Sequence, residues 1–350
     1  MAKVVCHIDV NSAFLSWTAV YRLRVLGEQV DLRQIPAVVC GDQDSRHSIV
    51  LAKSMPAKAY GIKTGEPLFQ ALRKCPSLTV AGSDYPLYVE SSRKFMEILK
   101  QIAPVVEQFS IDEAWIDLSG TEKLYGPPIH TAEQIKNRIR DELGFTVNIG
   151  VSCNKLLAKM AGDFQKPDRV HTLFPHEIET KLWPLPVRDL FFVGPATEQK
   201  LHQMGIATIG QLAQTDVRYL KARLHKQGQV IWNFANGICP DEVSDAVVLN
   251  KGYGNSVTTP TDITDRRAAC KILLSLSETV GMRMRRDQQL TSCVTVRLRT
   301  NQFNDISRQM QLSHATCLTA EIYQAACLLL QQMWQENIPL RQLGVSVGKI

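Results

Sequence analysis

The chain has 350 residues, 45% of them apolar and 21% charged, which is ordinary for globular protein and long enough for two or more domains. No apolar run approaches the ~18–20 residues of a membrane span, residues 1–10 lack a targeting pattern, and nine scattered cysteines without C-x-x-C spacing read as reduced, small buried residues of a cytosolic protein. The net charge of +6 is concentrated late: residues 251–350 carry 12 Lys/Arg against 7 Asp/Glu, which suits a polyanion partner and equally a plain solvated surface.

The first element is an apolar, β-branched strand over 4–10, interrupted by Asp9. An ionised carboxylate in such a strand is costly to bury unless a cation or hydrogen bonds compensate it. Residues 12–27 then read as a helix, with Phe14, Leu15, Val20, Leu23 and Leu26 at helical spacing and Gly27 as its stop. Short strands follow at 37–40 and 48–52 around a polar loop at 41–47. Residues 56–76 form a basic helix-and-turn segment broken by Gly61, Gly65, Pro67 and Pro76.

From 78 to 166 strands and helices alternate, which suggests helices packed on one sheet. The pattern predicts a helix over 90–102, hairpin arms at 105–109 and 113–118, a helix over 133–143, a strand over 145–151 and a helix over 154–164. Asp112 and Glu113 fall between the hairpin arms. Neighbours on a regular strand face opposite ways, so this pair can converge only at a hairpin end. Carboxylates brought together repel, and a divalent metal is the usual remedy. An ordinary acidic turn and a partner-satisfied strand Asp explain the same residues equally well.

Residues 167–240 read as mostly helical. After a polar stretch at 236–250, Glu278–Arg286 carries Arg283, Arg285 and Arg286. In Val294–Arg299, Val294, Val296 and Leu298 share one face while Thr295, Arg297 and Arg299 share the other, the pattern of a half-buried strand. Its outer face is suited to phosphates or to water.

Four segments, 8–14 (IDVNSAF), 110–114 (SIDEA), 150–161 (GVSCNKLLAKMA) and Lys166-Pro167, in this order and at these separations, resemble the Y-family DNA polymerases, the translesion class. The resemblance covers essentially the whole chain. It implies an α/β (α+β) multidomain fold, the right-hand polymerase: palm at 1–11 and 78–166, fingers at 12–77, a helix-hairpin-helix thumb at 167–240, and a linker and little finger at 241–350. The palm would be an antiparallel-rich sheet backed by helices. The reaction implied is low-fidelity, template-directed DNA synthesis across damaged bases, with primer–template DNA and dNTP as partners and the enzyme as a cytoplasmic monomer.

By the same resemblance, Asp9 and Asp112 bridge two Mg²⁺ ions, which Mn²⁺ can replace. Glu113 serves the ion at the primer hydroxyl, and the Val10 carbonyl completes the nucleotide-bound one. Phe14 is the steric gate against ribonucleotides, and Ser12 and Ala13 line the sugar pocket, Ala13 being smaller than the aromatic often found there. Lys166 aligns with a lysine serving the β/γ-phosphates. Lys58 stands where many members carry Arg and Met55 where many carry Tyr, so the planar fork and the hydroxyl are both missing. Lys53 and Lys63 read as ordinary solvated lysines. Ala52 is a small residue over the nascent pair.

In the thumb, the hairpin containing Gly194 and Ala196 would receive a DNA phosphate, although Phe192 stands where many such hairpins have Gly. Arg283, Arg297 and Arg299 are the DNA-facing cations expected of the little finger. A sliding clamp is usually engaged through a tail after that domain; the sequence stops at a strand-like 344–350 without one, which leaves truncation open. Asp9-Val10-Asn11 and Lys58 lean toward a polymerase V-like member and the self-contained chain suits a polymerase IV-like one. The competing readings are a two-metal nuclease, a non-enzymatic DNA-binding protein, and a catalytically weak family member acting as a DNA-bound scaffold in the damage response.

Overall fold

The computed structural model describes residues 3–41, 48–246, 249–336 and 338–350. Most of the polar loop expected at 41–47, and residues 247–248 of the expected polar stretch, therefore lie outside the described residues. The described chain divides into two compact units, one ending at residue 246 and the other running from 249 to 350.

In the first unit, β1 (Val5–Val10) leads into α1 (Ala13–Arg24). The turn between them needs a left-handed residue, and Ser12 supplies it with φ 48° and ψ 50°. Then β2 (Ala37–Cys40) pairs antiparallel with β3 (Val50–Lys53), and α2 (Met55–Ala59) and α3 (Leu68–Lys74) lead to β4 (Thr79–Gly82), which runs parallel to β2. This small sheet, in the order β3-β2-β4, encloses its own core of Val38, Val50, Ile62, Leu68 and Leu78.

The chain continues through α4 (Tyr85–Ile102), β5 (Val105–Gln108), β6 (Glu113–Asp117), α5 (Glu122–Tyr125), α6 (Pro128–Leu143), β7 (Val147–Ser152), α7 (Lys155–Gly162) and β8 (Val170–Thr172). These strands and β1 form a sheet in the order β5-β6-β1-β7-β8, antiparallel except for the β7–β8 pair. Helices α4 and α6 start five residues earlier than periodicity predicts. Apolar spacing marks where a helix is buried, whereas its start is set by a cap: the Asp84 carboxylate accepts from Leu87 N–H at 3.1 Å, and Pro128 opens α6.

Alternation along β1 decides what the site can contain. Cys6, Ile8 and Val10 enter the core shared with Leu99, Ile135 and Ile139 of α4 and α6. Val5 joins Trp115 and Ala158 of α7 on the opposite face, to which His7 and Asp9 also belong. Helix α7 lies hard against that face: a Cβ on Gly150 would sit 1.9 Å from the Ala158 carbonyl oxygen. Glycine there lets the helix bring its lysines over the sheet.

Short 3-10 and π turns between 175 and 189 then lead to α8 (Pro195–Gln203), α9 (Ile209–Gln214), α10 (Val217–Leu224) and α11 (Lys226–Ala235). They enclose a helical core of Leu182, Val187, Leu201, Leu212 and Ile231, joined by Leu157 and Met160 of α7.

The second unit is built from β9 (Gly252–Ile263), α12 (Arg266–Arg286), β10 (Thr291–Thr300), β11 (Asp305–Thr316), α13 (Thr319–Met333) and β12 (Leu340–Gly348). The strands form an antiparallel sheet in the order β11-β10-β12-β9. Val294, Val296 and Leu298 are fully buried with Leu273, Val280 and Leu329 of the two helices. The half-buried strand is thus present as read, and longer.

Candidate active site

Asp9 sits at the end of β1 directly opposite Glu113 on β6. Asp112 precedes Glu113 in the turn, where the Val10 N–H donates to its carbonyl at 3.0 Å. The three acids therefore come from neighbouring backbone positions at one end of the sheet, beside a hairpin end. Each carboxylate has its own partner. Asp9 pairs with Lys166, whose ammonium also reaches Asp163 at 2.9 Å. Asp112 accepts from Ser110 Oγ at 2.7 Å, and Glu113 accepts from Lys159 Nζ at 2.8 Å with His7 Nε2 3.4 Å away.

Electrostatics follows these partners. Burial pushes the Asp9 carboxyl above its ordinary range, and Lys166 only partly offsets it, with Glu113 adding repulsion. Burial would also raise Glu113, but hydrogen bonds from His7 and Lys159 outweigh it and hold the carboxyl at about 2. Lys166 is held above its ordinary value by Asp9 and Asp163 in spite of burial. The His7 imidazole is pushed down by burial. Among the described residues no three His, Cys, Asp or Glu side chains converge on a single point. The donor chemistry nevertheless suits a hard divalent cation: three carboxylates, two of them already compensated by ammonium groups.

Neither Lys159 nor His7 was singled out from the sequence, although Lys159 lies within a quoted motif. The apolar spacing of α7 identifies its buried side and says nothing of what the other side meets. A second group missed is the amide pair beside Asp9. Asn11 Nδ2 donates to Asn148 Oδ1 at 3.1 Å, and the Asn11 Oδ1 accepts from Thr146 Oγ1 and the Asp168 N–H, both at 3.0 Å. Asn148 Nδ2 donates to the Gly162 and Gln165 carbonyls at 3.0 and 2.7 Å. This network ties the end of β1 to the loop carrying Lys166. A polar residue in the apolar run 147–151 was its only sequence signal.

Phe14 lies against a cavity of about 290 Å³ that it lines with Asp9, Ala13, Ala52 and Asp112. Its ring stacks on Tyr88 at 4.4 Å and 8°, and the Tyr88 hydroxyl lies 3.1 Å from Thr18 Oγ1. A larger space of about 870 Å³ adjoins, lined by Ser12, Lys53, Met55, Lys58, Arg33 and Lys166 among others. Ser54 fixes the start of α2 there by accepting from Ala57 N–H at 3.0 Å while donating to the Ile35 carbonyl at 2.7 Å. The structure thus brings Ser12, Ala13, Phe14, Met55, Lys58 and Lys166 around the acids. Lys53 is half-buried in both cavity walls and is not the plain surface lysine the sequence suggested.

The expected DNA contacts lie elsewhere. Gly194 is the N-cap of α8 and Ala196 is in its first turn. Phe192 adopts φ 70°, the left-handed conformation that favours glycine, so the hairpin keeps its backbone course with a phenylalanine in place. In the second unit Arg297 and Arg299 share the sheet face away from the helices, and both are bound to Asp305 at 2.9 Å. Arg283 does not join them: it rises from α12 and reaches the Gly254 carbonyl at 3.4 Å.

An antiparallel sheet with an acidic hairpin end, a small lysine-bearing sheet over it and a helical hairpin beyond define a nucleotidyl-transfer architecture, and comparison with known proteins agrees. The impB/mucB/samB family matches residues 8–163, its C-terminal domain 250–350, and the helix-hairpin-helix motif of the same family 175–206. The chain belongs to this family of Y-family DNA polymerases. It is 44% identical to the DNA polymerase IV of Clostridium acetobutylicum over 99% of this chain and 87% of that one. It is 38% identical to the DNA polymerase IV of Clostridium kluyveri over 99% and 85%, and 33% identical to DNA polymerase IV 2 of Bacillus subtilis over 99% and 84%. A solved Y-family DNA polymerase chimera shares the fold at a TM-score of 0.83 and 23% identity, over 99% of both chains. Among the described residues no helix is long and apolar enough to cross a membrane.

Proposed function

We propose that this chain extends a primer 3′-hydroxyl with dNTPs on template DNA, at low fidelity and across damaged bases, with two Mg²⁺ ions held by Asp9, Asp112, Glu113 and the Val10 carbonyl. The observation that carries the reading is the placement of Asp9 and Asp112 on the cavity that Phe14 lines, with Glu113 directly opposite Asp9 across the β1–β6 pair. Asp9 and Asp112 would hold both ions and Glu113 the one beside the primer hydroxyl. When bound, such a pair acidifies the hydroxyl and neutralises the triphosphate.

The residues do the remainder. Lys159 and His7 keep the Glu113 carboxylate ionised and fixed in place. Lys166 and Lys58 flank the larger space and would receive the β/γ-phosphates, Lys166 giving up Asp9 as it does so. The Phe14 ring, braced flat against Tyr88, would lie under the sugar and leave no room for a 2′-hydroxyl. Ala52, small and buried beside Phe14, leaves space for distorted template bases.

The corresponding domains are a palm at 1–11 and 78–166, fingers at 12–77 with β4 completing their sheet, a thumb at 167–240 and a little finger at 241–350. The enzyme would act as a monomer on primer–template DNA in the cytoplasm, with a sliding clamp as a further partner. The test is primer extension opposite an abasic site with Mg²⁺ and dNTPs, alongside Asp112→Ala. Extension past the lesion by the wild type alone supports the reading. Extension of undamaged template only removes bypass of that lesion, and no extension with DNA binding intact favours the scaffold.

A further inference from the structure

Lys53 ends β3, a strand whose course is fixed on both sides. It pairs with Val38 of β2, and the next residue, Ser54, is hydrogen-bonded to Ile35, Ala37 and Ala57. The direction in which Lys53 leaves the backbone is therefore set by the sheet. Three residues line both cavities described above: Asp9, Ser12 and Lys53. Asp9 is near the end of β1 and Ser12 in the turn after it, and Lys53 joins them from the small sheet. It lies on the lining common to the space beside Phe14 and Asp112 and the space beside Lys58 and Lys166.

The charges around this divide are unevenly committed. Arg33 is bound to Asp31 at 2.9 Å and to the Gly144 carbonyl at 2.6 Å, and Arg140 lies 3.1 Å from Asp141 and 3.5 Å from Asp168. Lys166 is shared between Asp9 and Asp163. Among the described residues Lys53 and Lys58 have no ion pair or side-chain hydrogen bond. The nearby acid, Glu66, is taken by Lys74 at 2.5 Å. Partial burial and the neighbouring lysines 58, 63 and 74 push the Lys53 ammonium below its ordinary value, outweighing Glu66. Among the described residues, two uncommitted lysines on one wall of an open cavity whose acids, Asp9 and Asp31, are already paired make a site suited to an anion.

We propose that Lys53 is a phosphate ligand for the incoming nucleotide, acting with Lys58 on the wall opposite Lys166. The inference rests on the polymerase reading above. It also accounts for two departures at the same site: Met55 offers no hydroxyl and Lys58 offers a point charge in place of a planar fork. A second ammonium at the end of β3, before α2 begins, would restore the missing donor. A triphosphate laid from the Phe14 cavity into the larger one would pass Lys53 first and Lys58 next.

The test is equilibrium binding of the correct dNTP to the full chain on a dideoxy-terminated primer–template, in which no bond can form. Lys53→Met keeps the length of the side chain and removes its charge, and Lys53→Arg restores the charge. The expected result is a dNTP Kd raised about tenfold or more in Lys53→Met, the size of one charge-assisted hydrogen bond, with affinity for the primer–template unchanged and Lys53→Arg close to wild type. Wild-type dNTP affinity in Lys53→Met overturns the proposal, as does a matching loss of DNA affinity, which would put Lys53 on the template. Absence of dNTP binding by the wild type overturns it too. Wild-type binding of dNTP without extension of an ordinary primer would sink the polymerase reading and leave the Lys53 comparison standing on its own result.

Discussion

The Val10 N–H and the Asp112 carbonyl, 3.0 Å apart, lock the last residue of the first strand to a turn a hundred residues later. The bond uses main-chain atoms, so it survives any change of side chain at either position. Asp112→Ala should therefore leave the fold and primer–template affinity intact while nearly abolishing nucleotide incorporation. Loss of DNA binding in that variant would make the acid structural.

The ion pair of Lys159 with Glu113 joins α7 to β6 at 2.8 Å, with side-chain exposures of 11% and 22%. Lys159→Met would leave a half-buried carboxylate facing only His7. The expected cost is about 1–3 kcal/mol, less than for a fully buried pair because Glu113 keeps some water. Thermal unfolding of the first unit, followed by tryptophan fluorescence, measures it. A midpoint equal to wild type would mean that Glu113 is hydrated enough to do without the lysine.

Phe14 is half-buried and stacked on Tyr88 at 4.4 Å. Phe14→Ala should raise ribonucleotide incorporation relative to deoxyribonucleotide and lower stability by about 1–3 kcal/mol, toward the lower end for a large-to-small change because the ring faces a cavity. Single-nucleotide incorporation of dNTP and rNTP separates the effects. Unchanged sugar selectivity with reduced stability would leave Phe14 as packing alone.

Cys6 lies in the core face of β1, and burial, with some help from Asp117, pushes its thiol up to about 12 from an ordinary 9.0. The folded state thus binds the proton more tightly than the unfolded one. The resulting contribution is complete below pH 9, and it is lost as the pH rises toward 12 because only the unfolded thiol ionises in that window. Cys6 should also resist alkylation at pH 8 until the chain unfolds. Labelling followed by peptide mass mapping reads this directly, and modification of Cys6 in the native protein would mean that β1 opens.

These cases mark how far the sequence was legible. Periodicity identified β10, because Val294, Val296 and Leu298 alternate with polar residues against one helical layer. Motif spacing located Asp9, Asp112, Glu113 and Phe14, whose positions follow from strand ends and a hairpin. What each side chain binds was not legible. Lys159 meets Glu113 across 46 residues and Lys166 meets Asp9 across 157, distances over which no local pattern carries information. Lys53 looked like surface because a four-residue strand gives too short an alternation to assign its faces.

Asp305 sets the last expectation, since it bonds Arg297 through one oxygen at 2.9 Å and holds Arg299 through both at the same distance. The sequence suggested two free arginines for phosphate, whereas the structure has both guanidinium groups answering one carboxylate at the head of β11. A phosphate arriving at this face must compete with Asp305 for them. Asp305→Asn removes the competing charge and should strengthen DNA binding, steepening the dependence of log K on log salt by about one to two phosphate contacts. Arg299→Ala should flatten it. Salt titrations of fluorescent primer–template with the full chain measure both. If all three proteins give one slope, this face of the sheet is turned to solvent, and the cations that hold DNA must be sought on the helix side, where Arg283, Arg285 and Arg286 close α12.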